Sequence, residues 1–361
     1  FRVVSREQLK KILKEHEMAM TGLADASQAK AVGRLLQADL VMTTEVLCNP
    51  TSVEFIVQLI DVETGEFVWS KTYEMANLRK VSRALKDIAK LVHHLENVHF
   101  FLLPTYPSDV PPEHVDVNRF FAGLDNTSKH IMGGVYTHEG IERVIRMAEI
   151  IAGSPQRLRE EPIISFILCA ISPLKIDETY GDMLITVARA GIPVAVPSEP
   201  LCGSTSPVTL AGNVLIQTVD SLAEVCLAQL VNPGTPVMFG SVASTNDFRD
   251  LKYITGAIEM GLSNAASAQM AQFYGLPFYA TAGMSDAKVL DAQCGYESAL
   301  TTLLCALAGA NYIHDAAGLM DFALSVCPEK YVMDNEIIGM VMRAVGGIPV
   351  NEETLAFDLI K

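Results

Sequence analysis

The chain has no C-x-x-C pair, no G-x-G-x-x-G fingerprint and no excess of basic residues. Each absence excludes something. The formal net charge of −15 leaves no basic face for phosphates, so no nucleic acid partner is expected. Without a glycine fingerprint after a strand, a dinucleotide fold is disfavoured. The seven cysteines are odd in number and sit mostly in apolar runs, which reads as reduced core thiols, with no metal site expected. No segment reaches about 18 uninterrupted apolar residues, so no membrane span is expected. No signal-peptide pattern opens the chain, and a cytoplasmic location is expected. It starts at Phe1 without Met, as a fragment or processed product would.

What is present is apolar and unevenly charged. Half of the 361 residues are hydrophobic, enough for a sizeable core. Residues 1–96 carry 13 basic and 13 acidic residues, so the whole negative excess lies after residue 96. Such a step suggests two modules, 1–96 and 97–361.

The first module reads as a small α/β unit with an antiparallel sheet. Helices are expected after a Ser5 cap, with Glu7, Leu9, Ile12 and Leu13 at helical spacing, over 26–36 and over 78–95. Strands are expected over 40–47, 53–60 and 66–74. The last two are joined by a hairpin turn with Gly65 at the positive-φ position. The stretches Val4-Ser-Arg-Glu-Gln-Leu9 and Leu59-Ile-Asp-Val-Glu-Thr-Gly-Glu66 resemble the curli-secretion lipoprotein family. That resemblance implies an envelope assembly or binding role; a packing or oligomerisation module is the plainer reading.

From residue 97 short apolar runs alternate with helical stretches. The runs are 98–103, 130–135, 163–170, 192–196, 236–239, 277–280 and 311–313. Helices are expected over 112–124, 139–151, 180–190, 209–231, 253–274, 287–308 and 316–324. Spacings of about 30–40 residues mean parallel strands with crossover helices. Seven runs predict an α/β fold of TIM-like (β/α)8 type, complete if residues 1–96 supply the eighth strand and open if they do not. A doubly wound open sheet is the lesser alternative.

In such a barrel the loops after the strands build the site. They offer Tyr106, Tyr136, Glu199, Phe239, Met284, Asp286, Tyr312 and His314, with Glu297 on the helix that follows Asp286. The set is rich in aromatic and carboxylate groups and poor in cations, which suits a small cation held by ring faces and a nearby carboxylate. Other readings stand beside these. Tyr136 and Phe239 could be rim packing, Asp286 could cap the following helix, and His314-Asp315 lacks a second histidine at metal-ligand spacing.

The stretches Ile171-Ser-Pro-Leu-Lys175, Pro200-Leu-Cys-Gly-Ser-Thr205, Ala228-Gln-Leu-Val-Asn-Pro-Gly-Thr-Pro-Val237, Ser285-Asp-Ala-Lys288, Asp291-Ala-Gln-Cys-Gly-Tyr-Glu297 and Val332-Met-Asp-Asn-Glu336 make residues 98–361 resemble the carboxyl-terminal part of the trimethylamine methyltransferase family. The resemblance implies a barrel that moves a methyl group from a methylated amine to the cobalt of a separate corrinoid protein. Cobalamin would then ride on that partner, and this chain would bind no cofactor of its own. Met284 stands where family members acting on trimethylamine carry pyrrolysine, which implies a quaternary amine such as a betaine as substrate and Met284 and Asp286 as catalytic positions. The other residues named above would bind substrate, and a homo-oligomer is expected. Family members carry a longer amino-terminal part. The competing expectation is therefore a non-catalytic hybrid of an envelope-type module and a truncated barrel.

Overall fold

The computed structural model describes residues 40–48, 52–64, 66–76, 81–249 and 252–360. The chain divides into two compact units, Phe1–Val81 and Ser82–Lys361. The helix expected after Ser5, the one over 26–36 and the turn residue Gly65 lie outside the described residues.

In the first unit, β1 (Leu40–Cys48), β2 (Ser52–Asp61) and β3 (Phe67–Ala76) form an antiparallel meander. The β2–β3 turn is held by Asp61, whose Oδ1 accepts from the Thr64 amide at 2.7 Å and its hydroxyl at 3.0 Å. This is the local side-chain competition that makes Asp a turn residue.

The second unit opens with α1 (Val81–His94). Leu85, Ile88, Ala89 and Val92 recur at helical spacing and are buried in one core with Phe101 and Ile131. The helix therefore belongs to the barrel rather than closing the first module, and the boundary falls at Val81/Ser82 instead of 96/97. The charge step and the structural boundary are offset by this helix.

Strand and helix then alternate: β4 (Phe100–Leu102), α2 (Val115–Leu124), β5 (His130–Gly133), α3 (His138–Ala152), α4 (Pro155–Glu160), β6 (Ile164–Ile167), α5 (Glu178–Ala190), β7 (Val194–Ser198), β8 (Leu201–Cys202), α6 (Leu210–Val231), β9 (Val237–Ser241), β10 (Ser244–Asp247), β11 (Lys252–Ile254), α7 (Ile258–Tyr274), β12 (Phe278–Thr281), α8 (Ala292–Leu307), β13 (Tyr312–His314), β14 (Leu319–Met320), β15 (Ser325–Val326) and α9 (Pro328–Val345). Two short turns of helix, α10 (Glu352–Leu355) and α11 (Phe357–Ile360), close the described chain. Seven strands form one parallel sheet in the order β4-β5-β6-β7-β9-β12-β13, nearly closed into a barrel. Each coincides with one of the seven runs.

Period-2 alternation sorts the side chains. Each of the seven strands sends one residue to a common inner cluster: Leu102, Met132, Ile167, Ala195, Met238, Tyr279 and Tyr312. Their neighbours Phe101, Ile131, Phe166, Val194, Phe239, Phe278 and Ile313 turn outward to the helices. The barrel is a packed core, not a pore.

Two segments depart from the expected pattern. Residues 316–324 are not a helix; β14 and β15 form a hairpin whose turn puts Asp321, Phe322 and Ala323 at φ of 52°, 59° and 62°. Three left-handed residues in a row cannot continue a right-handed helix. The helix expected over 253–274 begins only at Ile258, because residues 252–254 pair with β10.

Helix α6 is long and apolar enough to cross a membrane by length and composition. Its buried face argues otherwise, because it is polar. Asn213 Nδ2 donates to the Pro200 carbonyl at 2.7 Å, Gln217 Nε2 to Gly240 at 2.6 Å and Ser221 Oγ to Val196 at 2.7 Å. These side chains satisfy backbone groups at the strand ends, which burial would otherwise leave unpaired.

Candidate binding site at the barrel mouth

Above the inner cluster the strand ends and loops carry the polar groups. A column of rings leads up to them. Phe100 stacks on Tyr312 at 3.9 Å between centroids, Tyr312 lies 5.5 Å from Tyr279, and Tyr279 stacks on His314 at 4.4 Å and 13°. His314 spends both ring nitrogens, with Nδ1 3.0 Å from the Ala280 carbonyl and Nε2 2.8 Å from Asp315 Oδ2. It positions Asp315 and keeps no nitrogen for a ligand. Asp315 is held in the left-handed region at φ 58°, an uncommon conformation for a residue other than glycine.

Glu199 follows β7 directly and remains open to solvent in the mouth. Its carboxyl is raised above the ordinary value, first by partial burial and then by the charge of Asp315, with His314 opposing. The Tyr253 ring borders Glu199 on one side and touches the cluster of Met260, Met284 and Leu319 on the other. The hydroxyls of Tyr253, Tyr279 and Tyr312 are buried without a hydrogen-bond partner of ordinary geometry. Burial pushes all three phenols well up, so they are neutral donors. Cys169 completes this side. Burial first, then Glu224, Glu199 and Asp315, push its thiol well above its ordinary value, which makes it inert rather than nucleophilic.

The expected residues thus separate. Glu199 and His314 converge in the mouth, Met284 borders it through Tyr253, and Tyr312, which opens its strand, lies below them in the inner cluster. Tyr106 and Tyr136 form a second rim cluster, with centroids 4.3 Å apart. One face of Tyr106 is already used by the protein's own cation, because Arg119 Cζ lies 3.5 Å from the ring centroid. Arg119 is 1% exposed and donates to the carbonyls of Leu103, Thr105 and Gly134. Tyr180, close to both Tyr106 and Cys169, links the rim to the centre.

Phe239 does not join the mouth. It is fully buried between sheet and helices, 6.0 Å from Phe278, because its strand parity turns it outward. Asp286 and Glu297 form a clamp instead of a ligand cage. Glu297 Oε2 accepts from Ser285 Oγ at 2.6 Å and the Asp286 amide at 2.9 Å, and its Oε1 takes Gln293 at 2.9 Å. Asp286 Oδ1 accepts the amide and hydroxyl of Thr255, each at 2.7 Å. The following helix is capped by Asp291, which accepts from the Cys294 amide at 3.2 Å, not by Asp286. Gly256 lets the two loops meet, since a Cβ there would lie 2.3 Å from Glu297 Oε2.

Three residues with a strong claim on the site, Tyr253, Asp315 and Cys169, were not among those expected. Asp315 directly follows a strand, as Glu199 does, and in the sequence it stands beside His314, where it is weighed only as half of a metal pair. Tyr253 lies on β11, in an extra hairpin that no apolar run marks. Among the described residues no three His, Cys, Asp or Glu side chains are placed to hold a metal ion.

Fold and site define a parallel (β/α) barrel whose mouth combines carboxylates with aromatic faces. The chain belongs to the trimethylamine methyltransferase family, whose sequence profile matches residues 70–361. It is 36% identical over 305 residues to trimethylamine methyltransferase MttB of Desulfitobacterium hafniense (84% of this chain, 59% of that one). It is 40% identical over 283 residues to trimethylamine methyltransferase MttB of Methanosarcina thermophila (78% and 58%). It is 34% identical over 292 residues to a glycine betaine methyltransferase of Desulfitobacterium hafniense (80% and 61%). The chain therefore spans only about three fifths of the length of these relatives. Residues 1–75 match the profile of the peptidoglycan-synthase activator LpoB, a different family from the curli-secretion lipoproteins that their motifs resemble. The solved LpoB C-terminal domain from Salmonella enterica covers 21% of this chain and 56% of its own at 26% identity, with a TM-score of 0.19.

Proposed function

We propose that residues 82–361 bind a methylated ammonium in the barrel mouth and present one methyl group to the cobalt of a separate corrinoid protein, which is the methyl acceptor. The observation that carries this reading is the pairing of Glu199 and Asp315 beneath the mouth with the Tyr253 and Tyr279 rings around them. The names of the relatives, on trimethylamine and on glycine betaine, support the substrate class.

The chain's own residues would do little bond chemistry. A quaternary nitrogen keeps the C–N electron pair as its methyl group leaves, and departs as a neutral tertiary amine. No acid is needed, which fits a mouth whose histidine has both nitrogens engaged and whose thiol is protonated. The work left is to hold the ammonium, align it and exclude water. Aromatic faces contribute roughly 0.5–2 kcal/mol each to such a cation. A neutral phenol can donate to the carboxylate of a betaine.

Glycine betaine and 3,3-dimethylbutanoate differ only in N⁺ against C, and they separate charge from shape. Glu199→Gln is expected to weaken betaine about tenfold, the equivalent of about 1.4 kcal/mol, and to leave the butanoate unchanged or slightly tighter. Titration calorimetry reads both, and equal losses would defeat the charge argument. Acidification tests the same group. Cation binding needs Glu199 ionised, so affinity should fall as pH drops, beginning above the ordinary carboxylate range because its carboxyl is raised. That loss should vanish in Glu199→Gln.

A further inference from the structure

The turn between β6 and α5 stands at the barrel mouth with little apolar packing to hold it. Ile171 and Leu174 are exposed, and Leu174 sits in the left-handed region at φ 60°. The turn closes on itself through paired backbone bonds between Ile171 and Lys175, at 2.8 and 3.1 Å. What ties it to the barrel is helix α6. Asp220, 3% exposed, accepts from Ser172 Oγ at 2.6 Å and from the Leu174 amide at 2.7 Å. One helical turn further on, Glu224 takes the Ala170 amide. The Asp220 oxygen that holds Ser172 also accepts from Ser198 Oγ, at 2.7 Å. Ser198 is fully buried at the end of β7 and pairs across to Ala170, and the next residue is Glu199. One carboxylate thus joins two neighbouring strand-to-helix loops at their roots, and one of those loops carries the acid of the mouth. All three of its donors are neutral, and a carboxylate buried among neutral donors costs more than an apolar contact in the same place.

We propose that Asp220 is a positioning residue for the ammonium site: it fixes the β6–α5 turn against the end of β7 and thereby sets where the Glu199 carboxylate stands. This role rests on the reading of the mouth as an ammonium site. The effect of Asp220 on a ligand passes through Glu199 and comes from geometry, not from its own charge. Asparagine separates the two. With its oxygen towards the Leu174 amide, its amide group can donate to Ser172 and Ser198, because a hydroxyl accepts as well as donates. The three contacts are then kept and the charge is lost. Alanine loses both, and leaves Leu174 in a left-handed turn with nothing on α6 to hold its amide.

The experiment is titration calorimetry of the 361-residue chain with glycine betaine. Asp220→Ala is expected to weaken binding about fivefold, and Asp220→Asn to recover it to within about twofold of the parent. In the Glu199→Gln background Asp220→Ala should cost less than about twofold, since a residue acting through Glu199 has nothing left to act on. A general loosening of the fold would instead lower affinity alike in both backgrounds. Ser172→Ala leaves the carboxylate two of its donors and carries the same comparison if Asp220→Ala does not fold. It should lose about twofold to threefold in the parent and nothing measurable beside Glu199→Gln. Amide exchange gives a reading without ligand. The Leu174 amide should exchange slowly although its turn is exposed, and at least about tenfold faster in Asp220→Ala, with Val194–Val196 unchanged. Full affinity in Asp220→Ala, equal losses in the two backgrounds, an asparagine variant as weak as the alanine one, or a Leu174 amide as fast as a free turn would each overturn the positioning role and leave the ammonium reading standing. A parent that binds no glycine betaine would overturn both.

Discussion

Lys330→Met is expected to cost the barrel unit about 3–5 kcal/mol at pH 8. Lys330 is fully buried on α9, and its ammonium donates to Asp334 Oδ2 at 2.7 Å, the Gly283 carbonyl at 2.8 Å and Ser298 Oγ at 2.9 Å. All three ammonium protons are therefore used. Removing the ammonium strands the buried Asp334 carboxylate without its counter-charge, and leaves Gly283 one donor short. Gly283 is where the site turn begins, at φ 85°, with Ala316 backbone 2.6 Å from where a Cβ would stand. The damage should appear in the turn as well as in stability, as faster amide exchange at residues 283–287. Burial already raises the Asp334 carboxyl, so at low pH the stranded group can take a proton. The penalty should therefore shrink as pH falls. Adding Asp334→Asn should recover roughly 1–2 kcal/mol, since an amide oxygen can still accept from the Gly318 amide, now 2.8 Å from Asp334 Oδ2. Urea unfolding at pH 5 and pH 8 measures all of this. A single variant within 1 kcal/mol of the parent at pH 8 would show that the buried pair does not stabilise the fold.

The barrel was legible in the sequence because its strands are buried on both faces. Such strands read as short unbroken apolar runs, and the helices between them are long enough to show their own period. All seven runs correspond to strands. The failures have local causes. The β10–β11 hairpin carries Ser244, Asn246, Asp247 and Lys252, polar residues that no periodicity test marks as strand. The left-handed turn at 321–323 reads as Asp-Phe-Ala, which looks helical by composition. Helix α9 was not anticipated, although Pro328 at its first turn, Glu329 beside it and Ile337 and Val341 on its buried face were available signals.

The site was legible by position and illegible by orientation. Placing residues at the carboxyl ends of strands put Glu199 and His314 at the mouth, because topology alone puts strand ends there, whereas Tyr312 opens its strand and lies below in the inner cluster. It could not give the parity of Phe239, whose strand is one residue out of phase with the reading. Nor could it tell that Glu297 is consumed as an acceptor by three donors before any ligand arrives. Helix α6 shows the same problem reversed. Its polar residues face inward while Leu215, Val219 and Leu230 are exposed, at 62%, 44% and 83%. A hydrophobic-inside rule would orient it backwards.

That inverted helix carries the second large effect. Glu224 sits on α6 at 1% exposure, with one carboxylate oxygen lacking any hydrogen-bond partner. Burial pushes its carboxyl up to about 8, the Ala170 amide opposes this, and neighbouring Asp220 adds to it. In the unfolded chain the same group titrates near 4.3. A carboxyl with a raised folded-state value contributes stability that is complete below the unfolded value and is lost as pH rises through the folded one. The native barrel is therefore expected to lose stability between about pH 4.5 and 8, by about 1.4 kcal/mol per unit and on the order of 4–5 kcal/mol in all. Glu224→Gln, which cannot ionise, should be about neutral at pH 4.5 and more stable than the parent by roughly 3–5 kcal/mol at pH 8.5. The midpoint of thermal unfolding should then rise by roughly 5–10 °C. The nearby Cys169 thiol should titrate lower in the variant, because Glu224 is the largest charge acting on it. Thermal unfolding across this pH range, with thiol reactivity followed in parallel, tests both. A variant no more stable than the parent at pH 8.5 would mean that Glu224 ionises without penalty, and that its unpartnered oxygen is solvated in the native state.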